Sequence, residues 1–280
     1  MKRELIIVHI AVLLFGLSGL FGILISLPPQ IIVLGRVFFA SLFLLFILML
    51  MRKGVAIRTR KDVGLFLIIG GILALHWVSF FHSIQLSSVA VGLVTFATFP
   101  IFASFLEPIL LKESFQRRSL LYAVFSFIGV LFIVPEITIS NEITKGALWG
   151  LLSAFTFALL SIVNRKTIRH YSSVQIGFYQ NLFAFLCLLP IGFFIHVHPS
   201  FHDILLMLLL GILFTGAAHV LFIQSLKTVN VRTASVIASL EPVYGIIAAI
   251  ILFHEIPTLQ ELIGIMIILT VAIIASIRNN

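Results

Sequence analysis

Glu241 stands in a long apolar stretch, Ser239–Glu255 (SLEPVYGIIAAIILFHE), with a proline directly after it. An ionised carboxylate deep in such a run costs ~2.5–3.5 kcal/mol on membrane-insertion scales. Protonation, a cationic partner or a water-filled cavity each relieves that cost. A site that moves protons or cations uses one of the three. Pro242 removes a backbone donor and loosens a helix at that depth, so it is a candidate bend. Tyr244 follows one turn later and is expected on the same face. The plainer alternative is a structural glutamate, neutral or hydrogen-bonded between helices.

Other polar residues sit in apolar runs as well. Arg36 can snorkel to an interface or hold a substrate carboxylate through both ends of its fork. His76, with Trp77 and Phe80 close behind, can bind a solute or relay protons, or it can be a satisfied histidine on an aromatic packing face. His219 has the same two readings. Gln180 belongs to a polar patch, Tyr179-Gln180-Asn181, whose members point apart by ~100° per residue. Glu107-Pro108 repeats the Glu-Pro dipeptide close to Lys112, where a carboxylate can reach water or a nearby base.

Two motifs carry less. Gly16-Leu17-Ser18-Gly19 matches the GxSG of intramembrane serine proteases, but small residues in a span more often permit close helix packing, and a serine nucleophile needs a base beside it. His196, His198, His202 and Asp203 are metal-ligand types on a segment where loop histidines are the simpler reading; no metal site is expected. The sequence has no HExxH, phosphate-binding loop or CxxC, and its single cysteine, Cys187, cannot form an intramolecular disulfide.

The elements that must position these residues follow from composition. Of 280 residues, 61% are hydrophobic and 10% charged, too few polar groups to coat a soluble fold. A spanning helix needs ~20 apolar residues. Ten candidate spans result: Leu5–Leu27, Ile31–Met51, Val63–Ile84, Val89–Leu111, Ser119–Pro135, Gly146–Val163, Val174–Ile195, Ile204–Leu226, Val231–Phe253 and Leu259–Ile277. Lys2 and Arg3 precede the first as they would a signal peptide, but it is too long for one and is read as a retained span. With both termini cytoplasmic, 16 of the 18 Lys and Arg residues fall on the inner side, Lys145 falls outside and Arg36 lies within a span. That asymmetry is the positive-inside signature. It makes the +8 net charge a topology signal rather than a nucleic-acid surface.

The chain also repeats itself. Thr98–Glu113 and Ser239–Glu255 each carry a proline thirteen residues before a glutamate, Pro100/Glu113 and Pro242/Glu255, offset by 142 residues. Arg36-x-x-Phe-Ala-x-Leu in span 2 parallels Gln180-x-x-Phe-Ala-x-Leu in span 7. Five spans per half is an odd number, so the halves enter the membrane from opposite sides, with a site expected near mid-membrane between them. Pro100 and Pro242 are the expected bends.

These features resemble the drug/metabolite transporter superfamily, in its EamA-like branch. The resemblance covers essentially the whole chain, as repeats 1–138 and 139–280. Glu241-Pro242 and the Phe253-His254-Glu255 ending fit its second half; Phe99 stands where the second copy has Glu241. The resemblance implies an all-α polytopic protein that is not an enzyme, a secondary transporter exporting small metabolites such as amino acids by alternating access. Spans 1–4 and 6–9 would line its cavity, with spans 5 and 10 peripheral. Expected partners are a small-molecule solute and the lipid bilayer, with protons a candidate co-substrate and a homodimer a candidate assembly. No cofactor or nucleic acid is expected. The inner membrane of a bacterium is the expected location. The alternatives from other classes are an intramembrane serine hydrolase resting on Ser18, and a scaffold or channel.

Overall fold

The computed structural model describes residues 2–52, 54–111, 118–133, 138, 140–229, 231–238 and 240–277. The Lys112-Glu113 end of the first repeat copy lies outside them, as do Lys53, Arg117, Pro135, Ser239 and Arg278. The described residues form helices and no strand. In the first half these are α1 (Lys2–Ser18), α2 (Phe21–Leu24), α3 (Pro29–Leu50), α4 (Arg60–Leu86), α5 (Val89–Phe96), α6 (Phe99–Leu111) and α7 (Arg118–Ile133). The second half holds α8 (Glu142–Thr167), α9 (Ser173–Phe194), α10 (Phe201–Gly211), α11 (Ala218–Ser225), α12 (Val231–Ala238), α13 (Glu241–Phe253) and α14 (Leu259–Ile277). A π-helical turn, Ile212–Ala217, joins α10 to α11.

Seven stretches of described helix are long and apolar enough to cross a membrane: Glu4–Leu24, Pro29–Leu50, Arg60–Leu86, Val89–Leu111, Glu142–Thr167, Ser173–Phe194 and Phe201–Ser225. Glu241–Phe253 and Leu259–Val271 are shorter apolar helices. The expected span Val231–Phe253 is two helices, α12 and α13, rather than one. Several helices start earlier than apolar runs alone suggest, because polar caps satisfy their first backbone donors. Thr59 and Asp62 form a capping box on α4, Ser172 and Gln175 one on α9, and Ser200 and Asp203 one on α10.

Pro100 and Pro242 sit at breaks, whereas Pro108 and Pro190 lie inside helices. The chain turns at Ala97-Thr98 and resumes as α6, whose second residue is Pro100. It resumes again at α13, whose first two residues are Glu241 and Pro242. At the start of a helix the missing N–H of proline costs nothing, since that donor has no partner within the helix. Pro242 therefore begins a helix rather than kinking one.

Glycines bring the two halves of the chain into contact. A Cβ on Gly211 of α10 would lie 2.7 Å from the Phe39 Cβ and from the Arg36 carbonyl oxygen on α3. A Cβ on Gly70 of α4 would lie 2.5 Å from the Phe183 Cβ and 2.7 Å from the Ala184 nitrogen on α9. Each Phe-Ala pair of the repeated motif thus receives a glycine from the opposite half. Gly16 of α1 meets α13 in the same way: a Cβ there would fall 2.6 Å from the Glu241 carbonyl oxygen. Close backbone approach at small residues is how apolar helices associate in lipid, where burial of apolar surface drives nothing. α7 and α14 pack chiefly on each other, at the side of this arrangement.

Gly16→Ala must push α1 away from α13 by moving backbone, an overpacking cost of about 1–3 kcal/mol. Thermal unfolding of detergent-solubilised protein should show Gly16→Ala melting well below wild type and Ser18→Ala close to it. Equal melting of both variants would contradict the packing role.

Candidate functional site

Helices α1, α4, α5, α8 and α13 converge on a narrow chamber lined by Phe15, His76, Trp77, Phe80, Phe96, Phe157 and Glu241. It holds about 200 Å³ of empty space, in gaps too narrow for a water-sized sphere. Aromatic rings pack it at tilted angles: His76 lies 5.0 Å from Phe157 and 5.4 Å from Phe96, centroid to centroid. Glu241 is 2% exposed and lies in the first turn of α13, where the helix dipole favours negative charge.

Arg36 stands beside the chamber and is completely buried, so the snorkelling reading is wrong: no part of its side chain reaches water. Its Cζ lies 3.4 Å from the centre of the Trp77 ring, a desolvated cation–π contact worth ~2 kcal/mol or more. Its Nε donates to Thr215 Oγ1 at 2.9 Å. Arg36 and Glu241 interact electrostatically. His219 stacks on the other side of the cluster, 5.2 Å from Phe15 and 5.6 Å from Trp77. His76 Nδ1 sits 3.1 Å from the Ser153 carbonyl and 2.9 Å from its hydroxyl, which anchors α4 to α8.

What marks this cluster is unspent hydrogen-bonding capacity. Among the described residues, Arg36 Nη1 and Nη2, Trp77 Nε1, His219 Nε2 and Glu241 Oε2 are buried with no hydrogen-bond partner. Each such group costs ~1–3 kcal/mol, more where it is charged. Ser79 Oγ, Ser161 Oγ, Gln180 Oε1, Asn181 Oδ1 and Glu255 Oε2 also lack partners among the described residues; native structures hold few such groups, and each calls for an explanation.

The structure places other candidates elsewhere. Gln180 donates through Nε2 to Asn164 Oδ1, a pairing of α9 with α8. Tyr244 is half-buried against Gly16 and is not part of the chamber wall. Glu107, 1% exposed, is ion-paired with Arg165 at 2.5 Å, and Lys166 Nζ donates to the Leu110 carbonyl beside it. Ser18 donates to the Phe15 carbonyl of its own helix. Asp203 is engaged in capping α10, and among the described residues no group of three His, Cys, Asp or Glu is placed to hold a metal. Phe15, Phe96, Phe157 and Thr215 were not anticipated from sequence. With 28 phenylalanines in the chain, nothing local distinguishes the three that wall the chamber.

The profile of the EamA-like transporter family matches residues 2–134 and again 144–277. An uncharacterized transporter of Bacillus subtilis is 25% identical over 97% of this chain and 88% of its own length. A protein of Rickettsia prowazekii named as an S-adenosylmethionine uptake transporter is 25% identical over 84% of this chain and 78% of its own. A solved crystal structure superposes with a TM-score of 0.73 at 21% identity, covering 99% of this chain and 96% of that one; this likeness is one of fold.

Glu107→Gln discharges one end of an ion pair that lies off the chamber wall. It should lower the melting temperature, by the equivalent of about 1–3 kcal/mol, and leave the half-saturation concentration of a transported solute unchanged. A changed half-saturation with unaltered melting would place Glu107 on the solute's path instead.

Proposed function

The chain belongs to the EamA-like transporter family, and we propose that it is a secondary transporter of small organic metabolites bearing an α-amino-acid group, with its substrate site at the Glu241–Arg36 chamber. It is a multi-pass membrane protein, and family membership points to transport rather than enzymatic chemistry. The observation that carries the substrate reading is the pair of buried, oppositely charged residue types whose free atoms make no hydrogen bond. A carboxylate can accept from Arg36 Nη1 and Nη2 together, and an ammonium can donate to Glu241 Oε2. One zwitterion satisfies both. Amino acids carry this headgroup, and so does S-adenosylmethionine, for which Rickettsia relatives are named.

The proposed cycle is alternating access between two inverted five-helix halves, with both termini cytoplasmic. Its support is the 142-residue repeat, the sixteen inner basic residues, the double family match and the reciprocal glycine contacts at Phe39-Ala40 and Phe183-Ala184. The chamber has no room for a water-sized sphere, so it corresponds to an empty, collapsed state whose walls must part before a solute enters. The breaks before Pro100 and Pro242 flank it and are the joints about which α6 and α13 swing. The sequence has no phosphate-binding loop, so gradients drive the flux. Export of accumulated metabolites is the direction proposed, and an inward solute gradient runs the same cycle in reverse.

The test loads proteoliposomes with the twenty common amino acids and S-adenosylmethionine and measures loss of each by mass spectrometry. Wild type should show selective, saturable flux of solutes with the amino-acid headgroup, and Glu241→Gln should slow it at least about tenfold, the loss of one charged hydrogen bond. Flux no faster than from protein-free vesicles, or a variant equal to wild type, would contradict the proposal.

A further inference from the structure

The π-helical turn at Ile212–Ala217 has a consequence for Arg36. π-turns are rare and gather at functional sites. Thr215, in this turn, is completely buried. Its hydroxyl hydrogen is committed: Oγ1 donates to the Leu210 carbonyl, five residues back, at 2.7 Å. A hydroxyl has one hydrogen and two lone pairs. With the hydrogen used, Oγ1 can only accept from Arg36, and it accepts from Nε at 2.9 Å. The approach of the two helices that makes this reach feasible depends on Gly211, where a Cβ would lie 2.7 Å from the Arg36 carbonyl oxygen.

We infer that Thr215 is a positioning residue that sets how Arg36 meets its ligand. The guanidinium has three constraints on it. Trp77 covers one face at 3.4 Å, Phe81 lies 5.3 Å from Cζ, and Thr215 occupies the Nε edge. What remains is the far edge of the fork, Nη1 and Nη2, both buried and without a partner among the described residues. A carboxylate can bind an arginine side-on, through Nε and one Nη, or end-on, through both Nη atoms. Thr215 blocks the first mode and leaves the second. The ligand group it selects is therefore a planar carboxylate arriving along the side-chain axis, in the plane of the Trp77 stack. Thr215 contacts Arg36, and the selectivity it confers is for the carboxylate end of the solute alone. This inference rests on the proposed substrate reading above.

The test compares wild type, Thr215→Val and Thr215→Ser in the same proteoliposomes, with the twenty amino acids and S-adenosylmethionine as probes. Thr215→Val keeps the shape and removes the acceptor, so the half-saturation concentration of each carried solute should rise about tenfold, as for one charged hydrogen bond. The maximal rate should stay within about twofold of wild type. Thr215→Ser keeps the hydroxyl and should restore the wild-type value. The amine formed by removing the carboxylate from a carried amino acid should inhibit wild type and Thr215→Val equally. If the valine variant does not assemble, Thr215→Ala removes the same acceptor and gives the same readout. Valine and serine variants that behave alike, or an amine whose inhibition falls along with the amino acid, would overturn the positioning role while leaving the substrate reading intact. Absence of flux in wild type would overturn the substrate reading and this inference with it.

Discussion

A guanidinium held away from water, its Cζ over the Trp77 ring and its Nε bonded to Thr215, is the contact around which the interior is arranged. Arginine does not lose its proton in proteins, so a positive charge sits permanently inside an apolar bundle. Such a charge must be stacked, hydrogen-bonded and faced by an anion, or it destabilises the fold by several kcal/mol. The chain supplies each partner from a different helix. Trp77 comes from α4, Thr215 from the π-turn and Glu241 from the start of α13. The site exists only when helices from both halves of the sequence are together, which is what a carrier alternating between two arrangements requires.

The partners stop short of full satisfaction. Several helix ends are capped, Glu107 has Arg165 and Gln180 Nε2 has Asn164, while Ser79 Oγ, Ser161 Oγ, Gln180 Oε1, Asn181 Oδ1 and Glu255 Oε2 also lack partners among the described residues. Against that background, the free atoms of Arg36, Trp77, His219 and Glu241 stand out because they are close together. Aromatic walls leave no room for water to fill the deficit. A solute that completes these bonds would stabilise the occluded state relative to the empty one, and the binding energy of transport then comes from groups the fold has left open.

Much of this was legible in the sequence. Composition and run length imply helices long and apolar enough to span a membrane, and the described residues hold seven such stretches. Glu241, Arg36, His76 and His219 were visible because a polar residue in an apolar run is conspicuous. Their company was harder to see. Gln180, Tyr244 and Glu107 were equally conspicuous, yet Glu107 pairs with Arg165, Gln180 Nε2 with Asn164, and Tyr244 does not line the chamber; only three-dimensional packing separates such positions. Thr215 was invisible for a different reason: a threonine in a span is ordinary, and the π-turn that aims it has no signature in residue type. Phe15, Phe96 and Phe157 are hidden among many similar residues. The GxSG motif illustrates the opposite error, in which a pattern suggests chemistry and the backbone shows Gly16 making room for α13.

The central claim is that one zwitterionic headgroup bridges Arg36 and Glu241. A structure determined with a transported amino acid bound tests it most directly. The carboxylate is expected on Arg36 Nη1 and Nη2, the ammonium on Glu241 Oε2, and the side chain among the rings of Phe15, Phe96 and Phe157. A solute bound elsewhere, with Arg36 and Glu241 hydrogen-bonded directly to each other, would contradict it.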